Sequence, residues 1–173
     1  MPPQKIETQA RKLLTDLGID KPPVPVDVIA TKLGAHLTYS PLDGDISGMV
    51  FRDNGEVIIG INSLHHPNRQ RFSIAHEIAH VVLHKGMEVH VDRTFRVNMR
   101  NDVSSRAIDP EEIEANRFAA ELLMPEHMLV NDLRGQEIDL ENEAGLKRLA
   151  ERYRVSLQAL TIRLTKLGLI SGQ

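Results

Sequence analysis

Apolar residues recur along the chain with two different periods, and each change of period marks an element. Near the start, Ile6, Ala10, Leu13, Leu14 and Leu17 fall three or four apart and predict a helix, with Gly18 as the residue past its end. Pro22, Pro23 and Pro25 form a stiff connector. Val26 to Leu33 reads as a short second helix, with Asp27 near its start and Gly34 at its end. Ala35 to Tyr39 then looks like a strand, followed by a turn of Pro41, Asp43, Gly44 and Asp45. Ser47 to Arg52 and Glu56 to Asn62 are two β-rich runs separated by Asp53-Asn54-Gly55. Asn-Gly is a strong type I′ hairpin signal, so a small, mainly antiparallel sheet of about three strands is expected.

The helical period returns in FSIAHEIAHVVLH, Phe72 to His84. Phe72, Ala75, Ile78, Ala79, Val82 and Leu83 make one apolar face. Beside it lies His76-Glu77-Ile78-Ala79-His80, an H-E-x-x-H pattern. Four residues is just over one turn, so His76 and His80 project together and can hold one zinc ion, with Glu77 placed to act as general base. His84 continues the series but has drifted about 80° around the helix from His76. It is read as a supporting or packing histidine, with a ligand role as the minor reading. The longer H-E-x-x-H-x-x-G-x-x-H pattern is absent, since Leu83 and Gly86 stand where its Gly and last His would be. The third ligand must come from elsewhere.

Gly86 to Ile108 is harder to place. Met87, Val89, Val91, Phe95 and Val97 alternate in part, which fits a strand or a flap. Clear structure restarts at Asp109, an N-cap followed by Pro110 and by Glu112 at the capping-box position. The helix EEIEANRFAAELLM runs to Pro125, with Ala115, Phe118, Ala119, Leu122 and Leu123 as its buried stripe. Glu114 flanks that stripe one turn before Phe118. A carboxylate at a buried edge is costly unless paired or metal-bound, which makes Glu114 a candidate third ligand. Spacing alone does not separate it from Glu121, nor from Glu111 and Glu112, which read as first-turn acids complementing the helix dipole.

Leu146, Leu149, Ala150 and Tyr153 mark one more helix. Ser156 caps another along Leu157, Leu160, Leu164 and Leu167, ended by Gly168. Two helices joined by a short turn with arginines outside have a helix-turn-helix outline. Two helices packing on the core with solvated charges is the stronger reading, so direct nucleic-acid binding is the minor expectation. The chain divides into a core over 1–130 and a helical C-terminal segment over 131–173 packed on it.

Composition sharpens this picture. The chain has 173 residues and 41% apolar residues, enough for one domain with a core. Aromatics are only 3%, so aliphatic packing dominates. There is no Cys, which excludes disulfides, thiolate zinc sites and a cysteine nucleophile. The start lacks the apolar region of a signal peptide, and no run reaches membrane-spanning length, so a cytoplasmic protein without a membrane partner is expected. Charge is uneven. From Gly145 onward Lys147, Arg148, Arg152, Arg154, Arg163 and Lys166 face one acid, Glu151, whereas the first 144 residues carry a net −8.

Four stretches together resemble the ImmA/IrrE family of zinc metallopeptidases: PPVPVDVIATKLG, RQRFSIAHEIAHVVLH, EIEANRFAAELLMP and LAERYRVSLQALTIRLTKLGLI. The resemblance implies an α+β, zincin-like core followed by the helix-turn-helix-like segment. It implies Zn2+ held by two histidines and a glutamate, mapped onto His76, His80 and Glu114, with Glu77 as the base. The family resembles site-specific proteases that cut a helix-turn-helix (Xre-like) repressor and so switch on phage, mobile-element or stress-response genes. Gly86 to Ile108 departs from the family pattern by its length. A second oxyanion donor is expected, with His90, Arg117 and Tyr153 as candidates. The rival reading is a zinc-containing regulator that binds a repressor or DNA without proteolysis. A hydrolase of small amides comes third.

Overall fold

Prolines and glycines set most of the element boundaries. The structure is a computed structural model and describes residues 1–43, 45–84, 89–92, 109–135 and 143–170. Helices α1 (Pro3–Asp16), α3 (Pro67–Leu83) and α4 (Pro110–Leu123) each begin on a proline, where a missing N–H is harmless. Gly18, Gly34 and Gly168 follow the helices α1, α2 (Val26–Lys32) and α7 (Leu157–Lys166) with positive φ, the left-handed ending that favours glycine.

Strands β1 (Ala35–Ser40), β2 (Gly48–Asp53), β3 (Glu56–Asn62) and β4 (Val89–Asp92) form one sheet in the order β1-β3-β2-β4. Asn54 and Gly55 both have positive φ, so the β2–β3 hairpin turns as its Asn-Gly signal requires. Two differences from the expected sheet follow from long-range pairing. β1 runs parallel to β3, with Ala35 opposite Val57, because β2 folds onto the far side of β3. β4 adds a fourth, antiparallel strand at the edge, with Val91 opposite Met49. It is the described part of the stretch Gly86–Ile108; the rest lies outside the described residues. The sheet remains mainly antiparallel, and the α+β class holds.

Helix α3 packs on α4, on α2 and on the sheet strands β2 and β3, while α1 packs on α4. Every residue from Ser73 to His80 is buried, so the central helix is enclosed on the polar side as well as the apolar one. Asn62 ties down the loop before β2, donating to the Leu42 and Ile46 carbonyls and accepting from the Leu42 and Leu64 amides. That loop delivers Gly48 to the buried side of α3.

The C-terminal helices are fastened to this core. An unexpected helix, α5 (Glu126–Gly135), follows α4. Pro125 stops α4, but its carbonyl accepts from the Met128 and Leu129 amides and so starts α5. Helix α6 (Glu143–Tyr153) leads through a turn with Arg154 at positive φ into α7, whose Ser156 accepts from the Ala159 amide. The Tyr153 hydroxyl donates to Asp132 at 2.9 Å, and Arg152 forks onto the same carboxylate. Lys147 pairs with Glu143. Arg163 on α7 is buried; it donates to the Glu121 carboxylate of α4 and, at 3.2 Å, to the Met124 carbonyl. The Glu121 side chain, a rival metal ligand by spacing, is therefore committed to an ion pair that Arg11 of α1 approaches at 3.5 Å. Burial raises its pKa, against the pull of Arg163 and Arg11.

Removing one partner of a buried pair strands the other charge. Glu121→Ala is expected to destabilise the fold by about 3–5 kcal/mol. Lys12→Ala, which breaks the exposed pair with Asp16, should cost less than about 0.5 kcal/mol. Urea unfolding of both variants checks the contrast, and equal midpoints would show that the Arg163 pair is not a core element.

Candidate metal centre

The helical spacing of His76 and His80 brings their Nε2 atoms to 3.1 Å of each other, with ring centroids 4.8 Å apart. Both rings are buried, at 1% and 0% exposure. From α4, the Glu112 carboxylate reaches both: Oε2 lies 3.2 Å from His76 Nε2 and Oε1 3.4 Å from His80 Nε2. From the edge strand β4, His90 Nε2 lies 3.1 Å from Glu112 Oε1. The donor atoms of His76, His80, His90 and Glu112 all fall within 4.8 Å of one another, a group able to hold a metal ion.

Ring spacing distinguishes the members. Two imidazoles sharing a tetrahedral ion through bonds of about 2.0–2.1 Å have centroids roughly 5 Å apart. The His76–His80 pair meets that value. His90 does not: its ring stacks on His80 at 3.7 Å and stands 6.2 Å from His76. The donor set that fits one ion is therefore His76, His80 and Glu112, with His90 beside it.

Glu114, the acid favoured by sequence, is not in this group. Its Oε2 lies 3.3 Å from His84 Nε2, and Oε1 meets the Met1 amine. The reason is helical rotation: two residues turn a side chain by about 200°, so Glu112 and Glu114 leave α4 on nearly opposite sides. Glu112 extends the line of Ala115, Ala119 and Leu122, all fully buried, back by one turn. A readable signal was the i,i+4 pair Glu112 and Asn116, which mirrors His76 and His80. Asn116 Oδ1 sits 3.1 Å from His76 Nδ1, holding that ring with Nε2 toward Glu112. The Asp109 cap is as expected, accepting from the Glu111 amide at 2.9 Å. Glu112 turns to the histidines instead of completing the capping box.

Glu77 is wholly buried, and neither carboxylate oxygen has a hydrogen-bond partner among the described residues. It lies against the sheet: a Cβ on Gly48 would stand 2.7 Å from Glu77 Oε1, so only glycine leaves the carboxylate where it is. Asp92, on the same face of β4 as His90, groups with His76 and Glu77. Burial raises the Glu77 pKa well above the usual carboxylate range; His90 pulls it down, while Asp92 and Glu112 push it further up. Burial also works against the Glu112 carboxylate, yet hydrogen bonds from His76, His80 and His90 outweigh it and hold its pKa far below normal. Burial pushes His80 down to about 4 and also lowers His84. His90 is desolvated too, but Glu112 and Glu77 raise it on balance.

Of the three candidate oxyanion donors only His90 is here. Arg117 is paired with Glu7 on α1, and Tyr153 is buried among the C-terminal helices on Asp132. No helix among the described residues is long and apolar enough to cross a membrane.

The fold is similar to that of a Mycobacterium tuberculosis transcriptional regulator, with a TM-score of 0.62 and 17% identity. The match covers 94% of this chain but 46% of that one, so the chain spans less than half the length of that structure. No curated protein matches the chain. Residues 30–165 match the family described as Peptidase_M78, IrrE N-terminal-like domain, and this span includes α3, α4 and the histidine cluster. The chain therefore belongs to the Peptidase_M78 family, as its likeness to ImmA/IrrE proteins implied.

Proposed function

We propose that this chain is a zinc-dependent, site-specific peptidase whose substrate is a helix-turn-helix (Xre-like) repressor. The observation that carries the peptidase reading is Glu77. A buried carboxylate without a hydrogen bond is costly and uncommon, and such groups concentrate where chemistry needs them. This one adjoins two imidazoles and a carboxylate with the donor types that suit zinc. A divalent charge beside it would offset the burial that raises its pKa. The family supports peptidase chemistry. The substrate class comes from the ImmA/IrrE resemblance.

In this reading His76, His80 and Glu112 hold the ion, and Asn116 keeps the His76 ring in place. Zinc bound there supplies Lewis acidity, polarising a peptide carbonyl and making water acidic enough to lose a proton near neutral pH. Glu77 would accept that proton on a carboxylate oxygen as the water oxygen bonds to the carbonyl carbon, and return it to the leaving amine as the C–N bond breaks. Gly48 keeps the Glu77 carboxylate from being displaced. His90 faces the site from β4 and donates a hydrogen bond to the carbonyl oxygen as its charge develops.

The ligand set is checked by metal content. Wild type should hold roughly one zinc per chain. His76→Ala, His80→Ala and Glu112→Ala should lose it, while Glu114→Ala keeps it at saturating zinc. Equal retention by the Glu112 and Glu114 variants would sink the set.

Glu77→Gln should keep zinc and fold but cut the repressor about 10²–10⁴ times more slowly. Fragments are followed by mass spectrometry. Release of repressor from DNA by wild type with no fragment would replace the peptidase reading with that of a binding regulator.

His90→Ala should lower kcat by about 10²–10³ with zinc content unchanged at saturating metal. A parallel loss of zinc would make His90 a ligand instead of an oxyanion donor.

A further inference from the structure

The metal-facing role proposed for His80 raises a question about its other nitrogen. An imidazole presents the Nε2 lone pair only in the tautomer with the proton on Nδ1, and that proton needs an acceptor. For His76 the acceptor is Asn116 Oδ1. For His80 no carboxylate, amide or carbonyl among the described residues is in that place. Instead His80 Nδ1 lies 3.0 Å from Nδ1 of His84, one turn further along α3. The other side of the His84 ring, Nε2, lies 3.3 Å from Glu114 Oε2 on α4.

From this geometry we infer that His84 and Glu114 are positioning residues: a two-member relay that fixes the His80 tautomer and ring orientation. With a cation at the Nε2 atoms, where His80 cannot donate to Glu112, the proton count allows one consistent arrangement. Glu114 is an acceptor only, so His84 Nε2 carries a proton and donates it to Glu114. A neutral His84 then has a lone pair on Nδ1, which accepts from His80 Nδ1–H. That leaves the His80 Nε2 lone pair facing His76 and Glu112. Every polar atom along the line has a partner, and reversing the His84 tautomer would set a lone pair against the Glu114 carboxylate. The relay is well shielded: His84 is 9% exposed and the Glu114 side chain 15%. His84 also sits at the C-cap of α3, where its amide donates to the His80 carbonyl at 3.2 Å, so backbone and ring are anchored to the same residue. Arg52 of β2 donates to that carbonyl from the sheet side at 2.9 Å. The two acids of α4 thus divide the labour, Glu112 toward the Nε2 atoms and Glu114 behind His80.

The inference rests on the proposed zinc reading for the proton positions, while the line of contacts from His80 through His84 to Glu114 stands on the geometry alone. Two measurements separate them. Zinc affinity is read by competition with a chromophoric chelator. Glu114→Gln and His84→Ala should weaken binding about 10–100-fold while still filling the site at saturating zinc, and His84→Asn, which keeps an acceptor, should recover part of the loss. Glu56→Ala, at the exposed start of β3, should match wild type. Long-range 1H–15N NMR then reads the tautomers directly in the zinc-loaded protein. His80 should carry its proton on Nδ1 in wild type, and Glu114→Gln should shift the His80 and His84 ring nitrogens while leaving His76 unmoved. Glu114→Gln conserves size, so it serves if His84→Ala fails to fold. Affinities within twofold of wild type together with unmoved His80 signals would overturn the relay. Wild type that binds no zinc would overturn the peptidase reading; in that protein the relay stands if Glu114→Gln shifts the His80 and His84 ring nitrogens and falls if it does not.

Discussion

The contact between α3 and α4 is the constraint on which the site depends. Each helix carries two polar residues one turn apart, His76 and His80 on one, Glu112 and Asn116 on the other. Neither pair makes a site alone. Packed together they put a carboxylate against both Nε2 atoms and an amide oxygen behind His76. The packing itself is aliphatic, with Ala75, Ile78 and Ala79 on α3 and Ala115, Ala119 and Leu122 on α4 fully buried. The hydrophobic term drives the helices together; the polar residues are carried into the interior by it. Burying them is tolerable because all but Glu77 find partners there.

Glu77 is the exception, and its position has a geometric cause. It follows His76 directly, so it leaves α3 about 100° away from the histidine face and meets the sheet, not α4. Gly48 at the start of β2 removes the side chain that would otherwise stand in its way. The carboxylate is thus enclosed by helix and sheet without a donor among the described residues to satisfy it, a local conflict with the usual rule that buried polar groups are paired. Such conflicts mark functional positions more often than errors of folding. The edge strand β4 completes the enclosure with His90 and Asp92 on the side facing the site.

The basic C-terminal segment illustrates how charge counted along a sequence misleads about surfaces. Lys147, Arg152 and Arg163 all have acidic partners, and Arg163 is inside the protein, joining α7 to α4 through Glu121. A helix-turn-helix outline arises here from two short helices and a capped turn, a local geometry that serves core packing equally well. The same buried pair removes Glu121 from the acids available to the metal centre.

Local rules carried much of the fold. The i,i+4 histidines, the Pro67 and Pro110 helix starts, the Ser156 cap and the Asn54-Gly55 turn each depend on a few adjacent residues, so they are legible in the chain itself. The family likeness was legible for the same reason, being carried by contiguous motifs. Tertiary structure decided what required distant segments to meet. Whether Glu112 or Glu114 faces the histidines is a matter of two residues and about 200° of rotation, fixed only by which side of α4 docks on α3. The parallel pairing of β1 with β3 depends on where the intervening strand folds back. His90 enters the site because β4 pairs with β2, not because of anything near it in sequence. Spacing along a helix fixes which side chains share a face; only packing fixes what that face meets.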